Sequence, residues 1–400
     1  MSLIPAAPRQ WDGLIVLCAV NSYGGVKMAD VHMAEQLSRL APVLYVDPPM
    51  SRLTAARHPD AAEALRGPRL RLQQPGLARL TPVVQPFPSR PAATGMTSAL
   101  TRRYLRRATA RLGGRVRAVF SGWPLYPVFG SCGEQVRAYW AQDDFVGGAA
   151  LLGLNAALLD RRERQVAAGA DLVVAANPLV ADTWRERGVQ PVLVPFGADV
   201  DAYLDTERAA LPSDAALPGP VAGFVGHIND RTDLRLLESI ADRGRSLLLV
   251  GPKDPAFEAA RFDALQRRDN VRWVGPKPFG KLPGYLRMID VGLVPYRDSP
   301  FNRGSFPLKT LEYLAAGRAV VSTDLPAARW LATDLVCIAA GPSAFADEVD
   351  RLLAQPRTPA LMARCQAFAA RHSWARRAAD IYQAIEAQAC RAPSQGQAAG

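Results

Sequence analysis

The chain has 400 residues, 49% of them hydrophobic, a balance typical of a soluble globular protein with enough apolar side chains for two domain cores. Its longest apolar run, Leu14 to Val20, is far shorter than the roughly 20 residues that a membrane span requires. The five cysteines are scattered and contain no C-x-x-C pair, so neither a disulfide framework nor a zinc site is expected. A protein of the reducing cytosol, without a secretion signal, is the expectation that follows.

The net charge of +11 comes from one region of the chain. Residues 64–133 contain twelve arginines and no acidic residue, so this region alone carries +12 and the remainder about −1. Such a segregation of charge favours a polyanionic partner for this region.

The chain opens with an apolar run from Gly13 to Val20, a glycine-rich loop and a helical pattern up to Leu40. A second apolar run, Val43 to Val46, follows, and this order predicts a βαβ unit with a buried parallel sheet. The loop contains Gly24 and Gly25, which would let a ligand approach the backbone closely, although a plain tight turn explains them equally well.

Residues 48–91 are rich in proline and arginine and predict irregular structure, with strand-like pieces at 70–72 and 81–85. Residues 97–112 predict a helix with one apolar side and one arginine side. A core-packed helix with a solvated arginine face is the commoner explanation, and a contact with an anionic membrane surface or a lipid diphosphate is the functional one. The arginines in question are Arg102, Arg103, Arg106 and Arg107.

Predicted strands at 118–121 and 137–141 follow, and the second ends in Asp143 and Asp144. Carboxylates at the carboxyl end of a parallel strand lie at the edge of the sheet where ligands bind, whereas a helix cap or a turn explains them equally well. A predicted helix over 151–168 and further helices and strands complete a first domain over residues 1–205. Asp199 and Asp201 form a D-x-D pattern that we interpret as structural, because it opens a predicted linker at 206–220.

A second βα series begins at Val221 and is predicted to form a domain over residues 221–372. Glycines and lysines follow its predicted strands, where loops that face phosphate groups are found in parallel α/β domains. The candidate residues are Gly226, His227, Lys253 and Lys277. A helix over 373–390 and a disordered tail over 391–400 end the chain.

The stretch from Phe301 to Asp324 reads FNRGSFPLKTLEYLAAGRAVVSTD and predicts a loop, a helix and a strand. Pro307 suits the first helical position and Gly317 the residue after the helix end. Lys309 and Glu312 are three residues apart, so both lie on one flank of the helix. Free amides at the helix start would attract phosphate. By itself, an ordinary amphipathic helix with a solvated Lys/Glu pair explains the pattern as well.

The motif P-L-K-x-x-E-Y-L-A-A-G-x-x-V-V-S-T resembles the donor-binding signature of GT-B-fold glycosyltransferases of the broad family 4 and family 1 group, near bacterial polysaccharide enzymes of the teichuronic acid type. This resemblance implies an α/β protein with two Rossmann-like domains whose parallel sheets face each other across a cleft. It also implies a C-terminal helix that crosses back to the N-terminal domain. It assigns Lys309, beside Pro307 and Leu308, to the nucleotide diphosphate and Glu312 to the ribose hydroxyls.

The resemblance implies transfer of a sugar from a nucleotide-diphosphate sugar to a hydroxyl of a glycan, glycolipid or lipid-linked acceptor in cell-envelope or polysaccharide biosynthesis. No metal or cofactor is expected. Retaining members carry a second glutamate eight residues before the first, where this chain has Gly304, so inversion is favoured over retention. Asp144, or else Asp143, is then the candidate general base.

Other functions remain open from the sequence alone. A GT-B-fold sugar-nucleotide epimerase would share Lys309 and Glu312 but gives no role to the arginine-rich region, and a glycosyltransferase acting on a small natural product is a third possibility. A nucleic-acid-binding protein would explain the arginines but leaves the 301–324 motif without a role, so no nucleic-acid partner is expected. The expected location is cytoplasmic, peripheral on the inner face of the plasma membrane.

Overall fold

The computed structural model describes residues 10–24, 27–57, 59–150 and 152–391. Gly25 and the predicted tail beyond Arg391 lie outside these residues. The chain divides into two compact units. The first runs to Pro195 and resumes at Arg377, and the second is Phe196–Arg376.

The first unit is built on an eight-stranded sheet with the order β3-β4-β2-β1-β5-β6-β7-β8. All neighbouring strands are parallel except β3 and β4. The first two strands in chain order are fully buried because they are continuous runs of apolar residues, and β6 is buried except at Arg137. The strands β1–β8 are Leu14–Cys18, Val43–Val46, Leu70–Gln74, Leu77–Leu80, Val116–Ser121, Val136–Ala141, Leu172–Ala175 and Val192–Leu193.

Helices connect these strands and cover the sheet. Residues 151–168 were expected to form one helix, but the helix starts at Ala156 because the Asn155 side chain accepts a hydrogen bond from the Leu158 N–H (2.8 Å) and caps it. Leu151 itself lies outside the described residues. The helices α1–α6 are Ala29–Leu37, Arg52–Arg57, Pro59–Arg66, Thr94–Leu112, Ala156–Ala168 and Pro178–Glu186.

The prediction for residues 48–91 is only partly right. Two helices, α2 and α3, occupy its first half, and β3 and β4 form an antiparallel hairpin around Gly76, whose φ is +74°. The expected strand at 81–85 is absent from this described segment, where only Val83 makes an isolated bridge. The buried run Leu77–Leu80 is the strand because β2 offers it a parallel partner, which periodicity alone does not reveal.

The second unit contains a six-stranded, all-parallel sheet with the order β11-β10-β9-β12-β13-β14. Its strands β9–β14 are Val221–Val225, Ser246–Val250, Val271–Trp273, Val291–Val294, Ala319–Ser322 and Val336–Ile338. Its helices α7–α15 are Val200–Tyr203, Leu234–Asp242, Ala259–Gln266, Leu282–Met288, Pro300–Arg303, Leu308–Ala315, Pro326–Leu331, Gly341–Leu353 and Pro359–Ala370.

Residues 206–220, predicted to be a linker, pack within the second unit. Glu207 forms ion pairs with Arg318 and Arg357, and Asp214 pairs with Lys277 at 2.7 Å. The division between the units therefore falls after Pro195, ahead of the predicted linker, because these acidic side chains bind the segment to the second unit.

The last helix, α16 (Trp374–Arg391), belongs to the first unit from Arg377 onward. Within that unit Ile381 and Ile385 are fully buried, and Glu386 pairs with Arg117 at 3.1 Å. Across the described part of the chain, no helix combines the length and the apolar character that a membrane crossing requires.

Candidate functional site

Two glycines bring the backbone together at the carboxyl ends of β9 and β10. Gly226 and Gly251 have φ values of +156° and +136°, which side-chain-bearing residues rarely adopt. A Cβ atom on Gly251 would lie 2.1 Å from the Gly226 carbonyl oxygen, and the Gly226 N–H donates to the Val250 carbonyl at 2.8 Å. The two strand ends can approach this closely only because both residues are glycine.

Lys309 lies directly against Gly226. A Cβ atom on Gly226 would be 2.8 Å from Cε and 2.9 Å from Nζ of Lys309, so the glycine leaves the space that the lysine occupies. The position of α12 is fixed by Tyr313, whose hydroxyl accepts a hydrogen bond from the Val225 N–H at 2.7 Å. The structure thus brings Gly226 and Lys309, two of the candidate residues from the sequence, into contact.

The Lys309 ammonium is held over aromatic rings. It donates to the Tyr296 hydroxyl and lies 4.6 Å from the Tyr296 ring centroid and 5.0 Å from that of Phe224. Within the described residues no carboxylate forms an ion pair with it. A half-buried ammonium in this setting can bind an anionic ligand.

Arg231, which the sequence analysis missed, adds a second cation at Tyr296. Its guanidinium carbon lies 4.7 Å from the Tyr296 ring centroid, and Nε and Nη2 donate at 2.8 Å to Asn302 Oδ1 and Ser305 Oγ. Burial alone would raise the pKa of the Tyr296 hydroxyl, but Lys309 and Arg231 outweigh burial and lower it. The site therefore carries a strong positive potential.

The start of α12 adds backbone donors beside Lys309. Pro307 is the N-cap, with an extended ψ of 107°, and is not the first helical residue as predicted. The Thr310 N–H donates to the Pro307 carbonyl, whereas the N–H groups of Leu308 and Lys309 have no acceptor among the described residues. The inference of free amides holds, since proline offers no side-chain acceptor either.

Glu312 lies one turn further along α12 and is partly buried. Burial raises the pKa of its carboxyl, with Lys309 opposing the rise and the charge of Asp199 adding to it. Tyr203 of α7 is buried beside this carboxyl, and burial first, with the charges of Glu312 and Asp199 in smaller part, raises the pKa of its hydroxyl. Asp199, interpreted as structural because it opens the predicted linker, thus acts electrostatically on Glu312.

The side chains of the other predicted nucleotide-binding residues of this unit bind acidic residues or carbonyl groups of the same unit. His227 Nε2 lies 2.7 Å from Asp254 Oδ1 and is exposed. Lys253 donates to the carbonyl of Asp254 at 2.8 Å, and Lys277 pairs with Asp214. These contacts engage Lys253 within its own loop and hold His227 and Lys277 to residues of other loops, an outcome that strand-end position could not predict.

In the first unit, the predicted glycine loop is fixed by two buried aspartates. Asp30 accepts from the Asn21 side chain at 2.7 Å, and Asp47 accepts from the Tyr23 N–H at 2.9 Å. Asp47 also forms a buried ion pair with Arg79 at 2.7 Å. Gly24 is exposed, and a Cβ atom there would lie 3.4 Å from Arg79 Nη1. The loop is thus a shaped turn with an arginine at its base.

Asp144 caps the turn after β6. Its Oδ1 accepts from the Gly147 N–H at 2.8 Å, and a Cβ atom on Gly147 would lie 2.3 Å from Oδ2. Asp144 also acts on Glu163, whose pKa is raised to about 7 by burial first and by neighbouring carboxylates in smaller part. The next helix is capped by Asn155, so of the two structural explanations that the sequence allowed for Asp143 and Asp144, the helix cap is wrong and a turn is observed at Asp144.

Comparison with known proteins defines the class. Residues 219–355, which contain Gly226, Arg231, Lys309 and Glu312, match the family described as Glycosyl transferases group 1. Sucrose-phosphate synthase from Thermosynechococcus elongatus superposes with a TM-score of 0.73 at 18% identity, over 94% of this chain and 99% of that one. The protein therefore has the predicted GT-B fold, and residues 219–355 of its second unit are similar to a glycosyltransferase domain.

Within this class the chain is similar to TuaH of Bacillus subtilis (strain 168), which is named as a teichuronic acid biosynthesis glycosyltransferase. This chain and TuaH are 41% identical over 110 residues, which span 27% of this chain and 28% of TuaH. HepE of Anabaena, solved in complex with UDP-glucose, has a TM-score of 0.64 at 13% identity over 94% of this chain and 99% of that one. The predicted resemblance to GT-B enzymes near the teichuronic acid type is confirmed.

Proposed function

We propose that the protein transfers a sugar from a nucleotide-diphosphate sugar to a hydroxyl of a glycan, glycolipid or lipid-linked acceptor in polysaccharide or cell-envelope biosynthesis. The observation that carries this proposal is the pair of cations, Lys309 and Arg231, that meet at Tyr296 beside two unpaired helix N–H groups. The family match and the likeness to TuaH and to the UDP-glucose complex of HepE support it further.

The chemistry of these residues suits a nucleoside diphosphate. Lys309, Arg231 and the N–H groups of Leu308 and Lys309 would bind the diphosphate and stabilise the charge that develops on it as the sugar leaves. Glu312, three residues further along α12, would accept hydrogen bonds from the ribose hydroxyls. Two protein cations supply positive charge at the leaving group, so we propose transfer without a metal.

We further propose a single displacement with inversion, in which Asp144, or else Asp143, removes the proton from the acceptor hydroxyl. Gly304, the position of the second glutamate in retaining relatives, is a buried residue whose N–H donates to the Pro300 carbonyl at 3.0 Å. It offers no carboxylate, which supports this choice.

The function is tested with a panel of nucleoside diphosphate sugars. One donor is expected to raise the melting temperature of the protein and to be consumed when polyprenyl-diphosphate or glycan acceptors are added. A protein that binds no nucleotide sugar, or that only interconverts donor epimers without an acceptor, would contradict the proposal.

Glu312→Gln is expected to weaken the binding of nucleoside diphosphates and nucleosides by about 10-fold or more, because a charged hydrogen-bond acceptor for the ribose is lost. Inorganic pyrophosphate should bind as before, since Lys309 and Arg231 remain. Calorimetric titration of both ligands measures the difference. Glu348→Gln, at a half-buried glutamate of α14 that pairs with Arg351, is the control and should change neither. Equal weakening of both ligands would remove the ribose assignment.

We propose that the arginines of α4 bring the protein to the anionic inner face of the plasma membrane. Arg103, Arg106 and Arg107 are exposed, and none of them, nor Arg102, is in an ion pair with a described carboxylate. Arg107 and Arg111 also border a groove of about 720 Å³. Its wall includes Leu70, Leu72 and Tyr104 together with Arg69 and Arg71. An apolar groove with a cationic rim suits an anionic amphiphile.

Replacing Arg102, Arg103, Arg106 and Arg107 by glutamine is expected to reduce binding to phosphatidylserine vesicles by about 1 kcal/mol per residue, or roughly 10³-fold in total. Vesicle sedimentation measures the loss, and 1 M salt should mimic it because the Debye length falls to about 3 Å. The control removes four other arginines, Arg161, Arg164, Arg185 and Arg208. Equal losses in both variants would leave the α4 arginines as a solvated face.

A further inference from the structure

A second cationic cavity lies in the first unit, between α4 and α5. Its volume is about 330 Å³, at the lower end of the range for small-ligand pockets. We call it the α4–α5 cavity. Its polar lining consists of Gly95, Ser98, Arg102, Arg106, Arg162 and Gln165.

Three arginines converge on the α4–α5 cavity without a carboxylate. Arg102 Nε donates to the Pro127 carbonyl at 3.1 Å. Arg106 is exposed, and its guanidinium has no hydrogen-bond partner among the described residues. Arg162 is held in place by Gln165 Oε1 at 2.9 Å and Thr94 Oγ1 at 3.3 Å. No acidic side chain lines the cavity, so its positive charge is not compensated.

Several donors at the α4–α5 cavity lack an acceptor. Ser98 Oγ and Arg162 Nε are buried and have no hydrogen-bond partner, an arrangement that native structures rarely leave without a ligand or water. The Gly95 N–H, in the first turn of α4, has no acceptor among the described residues. That helix carries no acidic residue in its first turn and no side-chain cap. The positive end of its dipole therefore reaches the cavity unopposed.

We propose that the α4–α5 cavity binds a phosphate group, as a phosphomonoester or the diphosphate end of a small molecule or lipid headgroup. Arginine is suited to phosphate because its planar guanidinium donates two parallel hydrogen bonds, and a serine hydroxyl and a helix N–H complete such a site. The end of α4 leads into the amino end of the parallel strand β5, so the start of α4, with Gly95 and Ser98, lies toward the carboxyl edge of the sheet, where α/β domains bind ligands. This site is separate from the one at Lys309.

The test is a titration with inorganic phosphate, pyrophosphate and glycerol 3-phosphate, performed in the Lys309→Ala chain so that the other site does not contribute. Saturable binding is expected, and Arg162→Gln should weaken it at least 10-fold. Arg106→Gln, at an exposed side chain with no structural contact to lose, should do the same. Arg103→Gln is the matched control on the same helix, because Arg103 is exposed and outside the cavity lining, and it should change affinity less than 2-fold.

Vesicles that contain phosphatidic acid distinguish the two sources of the phosphate group. If a lipid headgroup is the ligand, Arg106→Gln lowers vesicle binding more than Arg103→Gln does, and free phosphate competes. If the ligand is soluble, the two variants bind vesicles equally while the phosphate titrations still differ. The proposal is overturned if the Lys309→Ala chain shows no saturable binding at millimolar concentrations, or if Arg103→Gln is as damaging as Arg106→Gln in every titration.

Discussion

Lys309→Ala is expected to abolish sugar transfer and to weaken the binding of nucleoside diphosphates by about 10- to 100-fold, because a charge-assisted contact to phosphate is lost. Arg231 and the N–H groups of α12 remain, which is why binding should fall without vanishing. Turnover should fall further than affinity, because charge on the diphosphate grows as the sugar leaves and Lys309 no longer stabilises it. Steady-state kinetics and calorimetric titration measure the two effects.

The structure offers two informative controls for Lys309. Lys281→Ala removes an exposed lysine of the same unit and should leave binding unchanged. Nucleosides without phosphate should bind the Lys309→Ala variant as tightly as they bind the parent, since the proposed ribose contact is made by Glu312. Unchanged diphosphate affinity in the variant would mean that the 301–324 motif does not bind the donor phosphates.

Asp144→Asn is expected to lower turnover by about 10² to 10⁴ while donor affinity and the melting temperature stay close to those of the parent, because a general base is lost. The substitution is well matched to the structure. The Asn Oδ1 atom can still accept the hydrogen bond from the Gly147 N–H that Asp144 accepts at 2.8 Å, so the turn after β6 should persist. Any loss of rate then reports on the charge and basicity of the carboxylate.

Asp143→Asn is the matched control, one residue away and of similar exposure. A larger loss in this variant would transfer the role of base to Asp143. The anomeric configuration of the product, read by NMR, tests the mechanism independently of both variants. A retained configuration would contradict the single displacement and with it the role of either aspartate as its base.

The local sequence determined the helix α12 and the buried strands, because these elements depend on residues that are close together in the chain. The spacing of Leu308, Leu311 and Leu314 predicts α12, and residues three apart on a helix share a flank, so Lys309 and Glu312 had to project together. The continuous apolar runs predicted buried parallel strands in both units, because a strand covered on both faces needs apolar side chains on both sides. Family resemblance in the 301–324 motif then assigned a chemistry to that helix.

Tertiary structure alone decided which distant groups meet these residues. Arg231 reaches Tyr296 from another loop, and in an arginine-rich chain nothing in its own neighbourhood distinguishes it. Lys277 was assigned to phosphate by its place after a strand, yet it pairs with Asp214, 63 residues earlier. Such pairings depend on how strands and loops are ordered in space, which periodicity within one segment does not encode.

Gly226 shows the same difference between what one segment of sequence predicts and what the packing of distant segments decides. A glycine in a loop after a strand is visible in the sequence, and Gly226 was identified on that basis. The missing side chain of Gly226 makes room for Lys309, 83 residues later in the chain. This contact follows only from the packing of α12 against β9. The sequence therefore determined the elements and their chemistry, and the fold determined which of those elements share a site.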